Sequence, residues 1–401
     1  MSQKTGKPTS FYALLAVTVA LTLFGIVIVF SASQVTALSQ HNDSFYYLKR
    51  QLLWAALGFA SLVLLSRISY GKLQKLSKPF LVVSLGLLVA AIIPGLSRVA
   101  GGASRWLEYG PFSLQPSEVA KLAVILFCAD LLARRKDRLN DFYQLTMPII
   151  PVLTLVAALI MFQPDLGTMI IIAFAVFVLM FVAGARLRHL LLMGVTAGSA
   201  ATVLIFTAEY RVQRFLSFLN PWKDPMKTGF QIIQSLIALG SGRIFGLGLG
   251  MSRQKFFYLP AAHTDFIFAI IGEELGLIGT LAVILAFAIL AYLGIRIAFR
   301  APTFFGRILA SGITAVIVIQ ALINMGAVTG ILPITGVPLP LISFGGSSLV
   351  FTLSGIGILL NISSYERKKA DGVVDARDHF RRRNRGASLS GHRPGRRAKV
   401  S

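Results

Sequence analysis

Ten long, nearly uninterrupted apolar runs constrain this chain more than any other feature. They cover about 11–33, 48–66, 78–96, 117–133, 146–162, 167–184, 188–208, 265–295, 305–331 and 346–364. A helix of about 20 residues crosses a hydrocarbon core of roughly 30 Å. The runs are solidly apolar and do not alternate, so they predict helices and not barrel strands. Only 14% of the 401 residues are charged, against about 25% in an ordinary soluble domain. The predicted fold class is all-α: a polytopic integral membrane protein of about ten transmembrane helices. The run at 265–295 exceeds one crossing, which predicts tilt or protrusion. The first run has no convincing small-residue cleavage site and reads as a retained helix.

The formal charge of +23 comes from 39 Lys and Arg against 16 Asp and Glu. It sits in loops and tails, which points to anionic lipid headgroups and topology, with no nucleic-acid partner. Arg67, Lys72, Lys75 and Lys78 fall between the second and third runs. Arg134, Arg135, Lys136 and Arg138 follow the fourth, Arg186 and Arg188 the sixth, and Arg296, Arg300 and Arg307 join the eighth and ninth. With ten crossings these loops share one side, which the positive-inside rule makes cytoplasmic, together with both termini. Residues 1–10 are then a cytoplasmic lead-in and 11–364 the membrane domain. Residues 365–401 form a basic, disordered cytoplasmic tail, read either as a solvated segment touching anionic lipid or as a partner site. A large outer loop at about 209–263 holds seven cations but only Glu209 and Asp224 as acids before Asp265. Within it, Phe230–Leu239 has an apolar stripe (Phe230, Ile233, Ile237) suited to an interfacial helix. No internal repeat is visible, which weakens an inverted-repeat transporter. The one cysteine, Cys128, excludes an intrachain disulfide and a Cys-based metal site.

Charge at membrane depth is costly and marks candidate sites. Glu118 and Lys121 share a helix face at the start of the fourth run. They are either a structural ion pair or a phosphate contact. Pro116 and Glu118 both suit a first helical turn. Asp265 lies where the outer loop becomes a membrane helix. It is either an N-cap or a partly desolvated general base. Glu273 and Glu274 read as braces between helices, and Asp165 as a turn or cap residue. His263 has no second ligand at helical spacing, so nothing supports a zinc site. Gly246-Leu247-Gly248-Leu249-Gly250 lacks the strand and the Lys-Ser/Thr ending of a phosphate loop and reads as turn or close packing.

Several segments together resemble the SEDS family (shape, elongation, division and sporulation). They are Leu259-Pro260-Ala261-Ala262-His263-Thr264-Asp265-Phe266-Ile267-Phe268 running into Gly272-Glu273-Glu274-Leu275-Gly276, Gly102-Ala103-Ser104-Arg105-Trp106, Gln115 to Lys121, Gln163-Pro164-Asp165-Leu166-Gly167, and Pro338 to Ser348. The resemblance covers nearly the whole chain to about Ser364. Gln231 to Gly240 and Ser252-Arg253-Gln254-Lys255 are similar to the cell-division branch. Ala261 departs from that branch's usual Glu, and Thr335 from its frequent Lys. The resemblance implies a ten-helix fold, a bacterial plasma-membrane location at the septum, and glycosyltransferase activity on lipid II. It implies partnership with a class B penicillin-binding protein and other division membrane proteins. By position it makes Asp265 the catalytic residue.

In that chemistry Asp265 would take the proton from the acceptor sugar's 4-hydroxyl, and undecaprenyl diphosphate would leave. Positive charge near the leaving diphosphate lowers the barrier. Arg105, Lys121, Arg211, Arg214, Arg243 and Lys255 are candidates for it, and Glu118, His263 and Ser343 complete the expected substrate-binding set. No cofactor is required by the residues; a divalent cation, Mg or Mn, is a second source of positive charge. Two other function classes stay open: a flippase of the same lipid-linked precursor, and a division scaffold.

Overall fold

A computed structural model describes residues 7–100, 103–109, 112–139 and 141–365. The basic tail expected at 365–401 lies, apart from Tyr365, outside the described residues, as do the first six residues. In chain order the helices are α1 (Thr9–His41), α2 (Tyr46–Arg67), α3 (Tyr70–Ala90), α4 (Pro116–Arg134), α5 (Phe142–Thr146), α6 (Ile150–Phe162), α7 (Leu166–Ala183), α8 (Leu187–Phe206), α9 (Glu209–Leu219), α10 (Phe230–Ser241), α11 (Ile267–Arg300), α12 (Phe304–Val328) and α13 (Gly346–Tyr365). Eight of them are long and apolar enough to cross a membrane: α1, α2, α3, α7, α8, α11, α12 and α13. Two more sit where the sequence predicts spans. In α4 four charged residues, Glu118, Lys121, Asp130 and Arg134, interrupt a 19-residue helix. The other, α6, has 13 residues and follows the short α5. The molecule is therefore an all-α polytopic membrane protein, as expected.

The core is a contiguous apolar cluster to which α4, α7, α11, α12 and α13 contribute most of the fully buried residues. Several polar side chains buried among these helices pair across them. Asp130 of α4 accepts hydrogen bonds from Gln74, Ser77 and Arg134 at 2.8–2.9 Å, so a buried carboxylate ties α3 to α4. Asn361 of α13 likewise accepts from the Tyr70 amide and donates to the Ser66 carbonyl.

Three features were not expected. A small antiparallel sheet, β1 (Ser97–Ala100), β2 (Ala103–Tyr109) and β3 (Phe112–Leu114), fills the loop between α3 and α4. The long eighth run is not one tilted rod, because α11 is interrupted at Gly276, with φ 67° and ψ −159°. The outer loop holds a further helix, α9, besides the α10 expected at 230–239, and α10 buries Ile232 and Ile233 while Ile237 stays exposed. Ser235 of α10 donates to the Val328 carbonyl at 2.9 Å, docking that helix on α12 instead of leaving it free at the interface.

Candidate active site

The segment from Tyr258 to Phe266 winds through tight turns before α11 begins. Ala261, in the left-handed region at φ 57°, accepts from the Thr264 and Phe266 amides and turns the chain. A second irregular segment, residues 330–344, holds these turns in place. The Phe344 amide donates to the His263 carbonyl at 3.0 Å, and Ser343 Oγ donates to the Thr264 carbonyl at 2.6 Å. From α12, Asn324 Nδ2 donates to the carbonyls of Asp265 and Val337, both at 2.8 Å. The backbone from His263 to Asp265 is thus fixed by three side-chain or amide donors. Packing of residues 338–344 against α1 needs Gly25, where a Cβ would lie 2.6 Å from Ile342 Cα.

The Asp265 side chain itself is left free. The helix N-cap is Phe266, with no side-chain cap, so Asp265 does not cap α11. No hydrogen bond to its carboxylate occurs among the described residues, and the residue is only partly buried. Burial pushes its pKa up to about 6, against the opposing pull of Arg214 and Arg105 and with a further push from Asp165. Desolvation is the larger effect, so this carboxylate is poised near neutrality. The His263 ring packs at a tilt against Tyr47 and Phe344, at ring-centroid distances of 4.5 and 5.8 Å. Burial lowers its pKa to about 4, so it serves as a neutral aromatic wall.

Of the expected cations, Arg105 and Arg214 act on Asp265. Arg105, on β2, donates to the Gln163 carbonyl at 2.8 Å and to the Pro164 carbonyl. That anchors it beside Asp165, which caps α7 through the Thr168 amide at 3.1 Å and accepts from Gln115 and Ser117. Arg214 is carried on the exposed face of α9. The others are placed differently. Lys121 is buried and pairs with Glu118 at 2.8 Å and with Gln320 Oε1. A cavity of about 30 Å³ adjoins this pair, lined also by Ile313, Ile317 and Thr352. Lys255 is buried against Glu274 at 3.7 Å and donates to the Gly250 carbonyl. Arg211 donates to the Leu204 carbonyl at the end of α8, and Arg243 is exposed beside the α11 break. Ser343 and Glu118 are likewise engaged with protein partners.

Two residues that the sequence reading passed over matter here. Gln320 and Asn324 lie one turn apart on α12, both buried. Asn324 holds the Asp265 backbone. Gln320 joins Lys121 to the Pro338 carbonyl and to Ser348. Two carboxamides at i, i+4 in an apolar run were a legible signal, since polar groups at membrane depth are costly. Among the described residues there is no group of three or more His, Cys, Asp or Glu side chains placed to hold a metal ion.

This site occurs in a recognised lineage. Residues 12–368 match the FtsW, RodA and SpoVE family, described as cell cycle proteins. The chain belongs to this family. Stage V sporulation protein E of Bacillus subtilis is 44% identical over 363 residues, covering 90% of this chain and 99% of that protein. The probable peptidoglycan glycosyltransferase FtsW of Geobacter metallireducens is 45% identical over 351 residues, covering 88% and 94%. Among solved structures, a chain from a peptidoglycan synthase complex that coordinates polymerization and crosslinking matches with a TM-score of 0.74 at 27% identity. It covers 90% of this chain and 99% of that one. The rod shape determining protein RodA of Thermus thermophilus matches with a TM-score of 0.66 at 27% identity, covering 90% and 98%. The resemblance read from the sequence segments is therefore correct at the family level.

Proposed function

We propose that this chain is a peptidoglycan glycosyltransferase that polymerises lipid II into β-1,4-linked glycan strands, with Asp265 as general base. The observation that carries the proposal is the Asp265 carboxylate that caps no helix, held by its backbone and pushed by burial to a pKa of about 6 against the pull of Arg214 and Arg105. The kinship to proteins named as peptidoglycan glycosyltransferases supplies the substrate class.

In this scheme Asp265 accepts the proton of the 4-hydroxyl on the acceptor's N-acetylglucosamine. The freed oxygen attacks the anomeric carbon of the growing strand's N-acetylmuramic acid with inversion. The bond to undecaprenyl diphosphate breaks, and that diphosphate leaves. Arg105 and Arg214 stabilise the charge gathering on it. A class B penicillin-binding protein is the proposed partner, supported by the synthase complex among the structural relatives. Septal action and cytoplasmic termini are proposed from the division-type relatives and the cation-rich loops.

The test is polymerisation of labelled lipid II by the purified full chain, with and without its penicillin-binding protein. Wild type should yield muramidase-sensitive polymer, and Asp265→Ala should lose about 10²–10⁴-fold in rate, the usual worth of a general base. Polymer made by Asp265→Ala at the wild-type rate rejects the base assignment. Lipid translocation without polymer by wild type rejects the enzyme.

A further inference from the structure

The outer loop between α10 and Asp265 is built inside out. Its polar residues Ser252, Gln254 and Lys255 are buried, while Ile244, Phe245, Leu247, Leu249 and Met251 are exposed, Phe245 by 79%. The three aromatics Phe256–Tyr258 are each more than half exposed. The buried polar set is fastened to α11. Glu273 accepts from Ser252 Oγ and from the Arg253 and Gln254 amides, and Glu274 faces Lys255 and accepts from Ser31 of α1. A contiguous apolar surface of this kind is not stable against water.

Its height relative to a bilayer follows from the backbone. Residues 243–248 run beside the α11 break: the Leu247 and Gly248 amides donate to the Glu273 and Glu274 carbonyls, and the Leu277 and Ile278 amides to the Arg243 and Ile244 carbonyls. Taking Arg296 as the inner-side cation of α11, as the cation-rich loops orient the chain, Gly276 lies about 20 residues away, roughly 30 Å of helix or one hydrocarbon thickness. The break therefore marks the outer edge of the hydrocarbon. At that edge Ile244 and Phe245 continue the exposed apolar band of Leu277, Ile278 and Leu281.

We propose that residues 244–258 are an interfacial lipid anchor, with their outward apolar side chains among the acyl chains just below the outer-leaflet headgroups. Exposed Arg243 and Arg253 reach the phosphate level from this position. The occupant is bilayer phospholipid, because the surface is continuous with a membrane-spanning face and carries cations at its rim. The anchor leads directly into Leu259–Asp265 and sets the height of that segment above the membrane. The inference stands apart from the chemistry assigned to Asp265.

The experiment uses the full chain in nanodiscs of phosphatidylethanolamine and phosphatidylglycerol. Cys128 is fully buried, so spin labels go to cysteines introduced as Phe245→Cys or Leu249→Cys. Leu285→Cys on the lipid face of α11 and Arg138→Cys in the loop after α4 are references. Collision with oxygen, which partitions into lipid, is compared with collision with a water-soluble nickel chelate. Labels at 245 and 249 should favour oxygen over nickel, with values between those at 138 and at the deeper 285. Nickel access like that at 138 overturns the anchor, and so does shielding from both reagents, which means that protein covers the loop.

Discussion

At Asp265 burial and neighbouring charge pull in opposite directions, and burial prevails. The carboxyl titrates at about 6 in the fold, against about 3.9 in an unfolded chain. Two opposite consequences follow. The proposed base would work only when ionised, so polymerisation should fall about tenfold per pH unit below 6, read from initial rates on lipid II. For stability the folded state holds the proton more tightly. The stabilisation is complete below about pH 4 and is lost as pH rises through 6. Asp265→Asn should therefore be inactive yet more stable at pH 7, by at most about 3 kcal/mol. Thermal unfolding in detergent at pH 5 and pH 7 checks this: the wild-type advantage at pH 5 should shrink in the Asn variant. A lower melting temperature for Asp265→Asn at pH 7 would show that the charge is stabilising and the burial argument mistaken. The buried pair Glu118–Lys121 behaves otherwise, because each ion has its partner at 2.8 Å. Lys121→Met strands a buried carboxylate and should cost about 3–5 kcal/mol. The double variant with Glu118→Gln should recover much of it. A double-mutant cycle by thermal unfolding measures the difference, and additive losses would show that the two groups do not interact.

At the scale of elements, apolar run length was a sound guide where it recorded membrane crossing, and it was silent about breaks. All ten runs are helical in the structure, including α4 despite its charges, because Asp130, Glu118 and Lys121 all find buried partners. The Gly276 break lies inside the eighth run, just after Gly272-Glu273-Glu274, but those residues alone do not say that the helix breaks. Its cause is tertiary, since a Cβ there would lie 2.4 Å from the Gly246 amide nitrogen and 2.5 Å from the Ile244 carbonyl oxygen. The sheet at 97–114 was equally hidden, because strands of three to seven residues leave little periodicity to read. Asp265 was legible as a candidate, but that it does not cap α11 needed coordinates. The choice for Lys121 and Lys255 did as well, because a cation's partner across the bundle cannot be read from spacing. Gly276→Ala tests the tertiary cause. It combines a left-handed backbone with a backbone clash and should destabilise by about 3 kcal/mol. Amide exchange at Leu247, Gly248, Leu277 and Ile278 should speed up. Gly71→Ala in α3, where nothing lies within 4 Å of the new methyl, should be neutral or stabilising by up to about 1 kcal/mol. Equal effects at the two sites would mean that the break is not held by the segment at Gly246.

Across the whole molecule, burial is uneven in a way that bears on the site. Only 11% of the most apolar window of α8 is buried, against 72% for α12 and 89% for α13. The α8 helix packs chiefly on α7 and on α9. Arg211 fastens α9 to the end of α8 through the Leu204 carbonyl at 2.6 Å, so the two helices form one arm. That arm carries Arg214, one of the two cations acting on Asp265, while the other, Arg105, is fixed to the backbone near Asp165. One side of the charge cluster is therefore rigid, and the other rides on a weakly packed helix. Low local packing lowers the free energy of local motion. Spin-label distances between Val203 on α8 and Leu322 on α12 should be broadly distributed. Distances between Leu281 on α11 and Leu322 should be narrow, since those helices pack closely. Undecaprenyl diphosphate should narrow the first distribution, because an anion bridging Arg105 and Arg214 draws the arm toward the fixed cation. A narrow Val203–Leu322 distance without ligand, or one that the diphosphate leaves unchanged, would mean that Arg214 is held by the scaffold and does not close on the substrate.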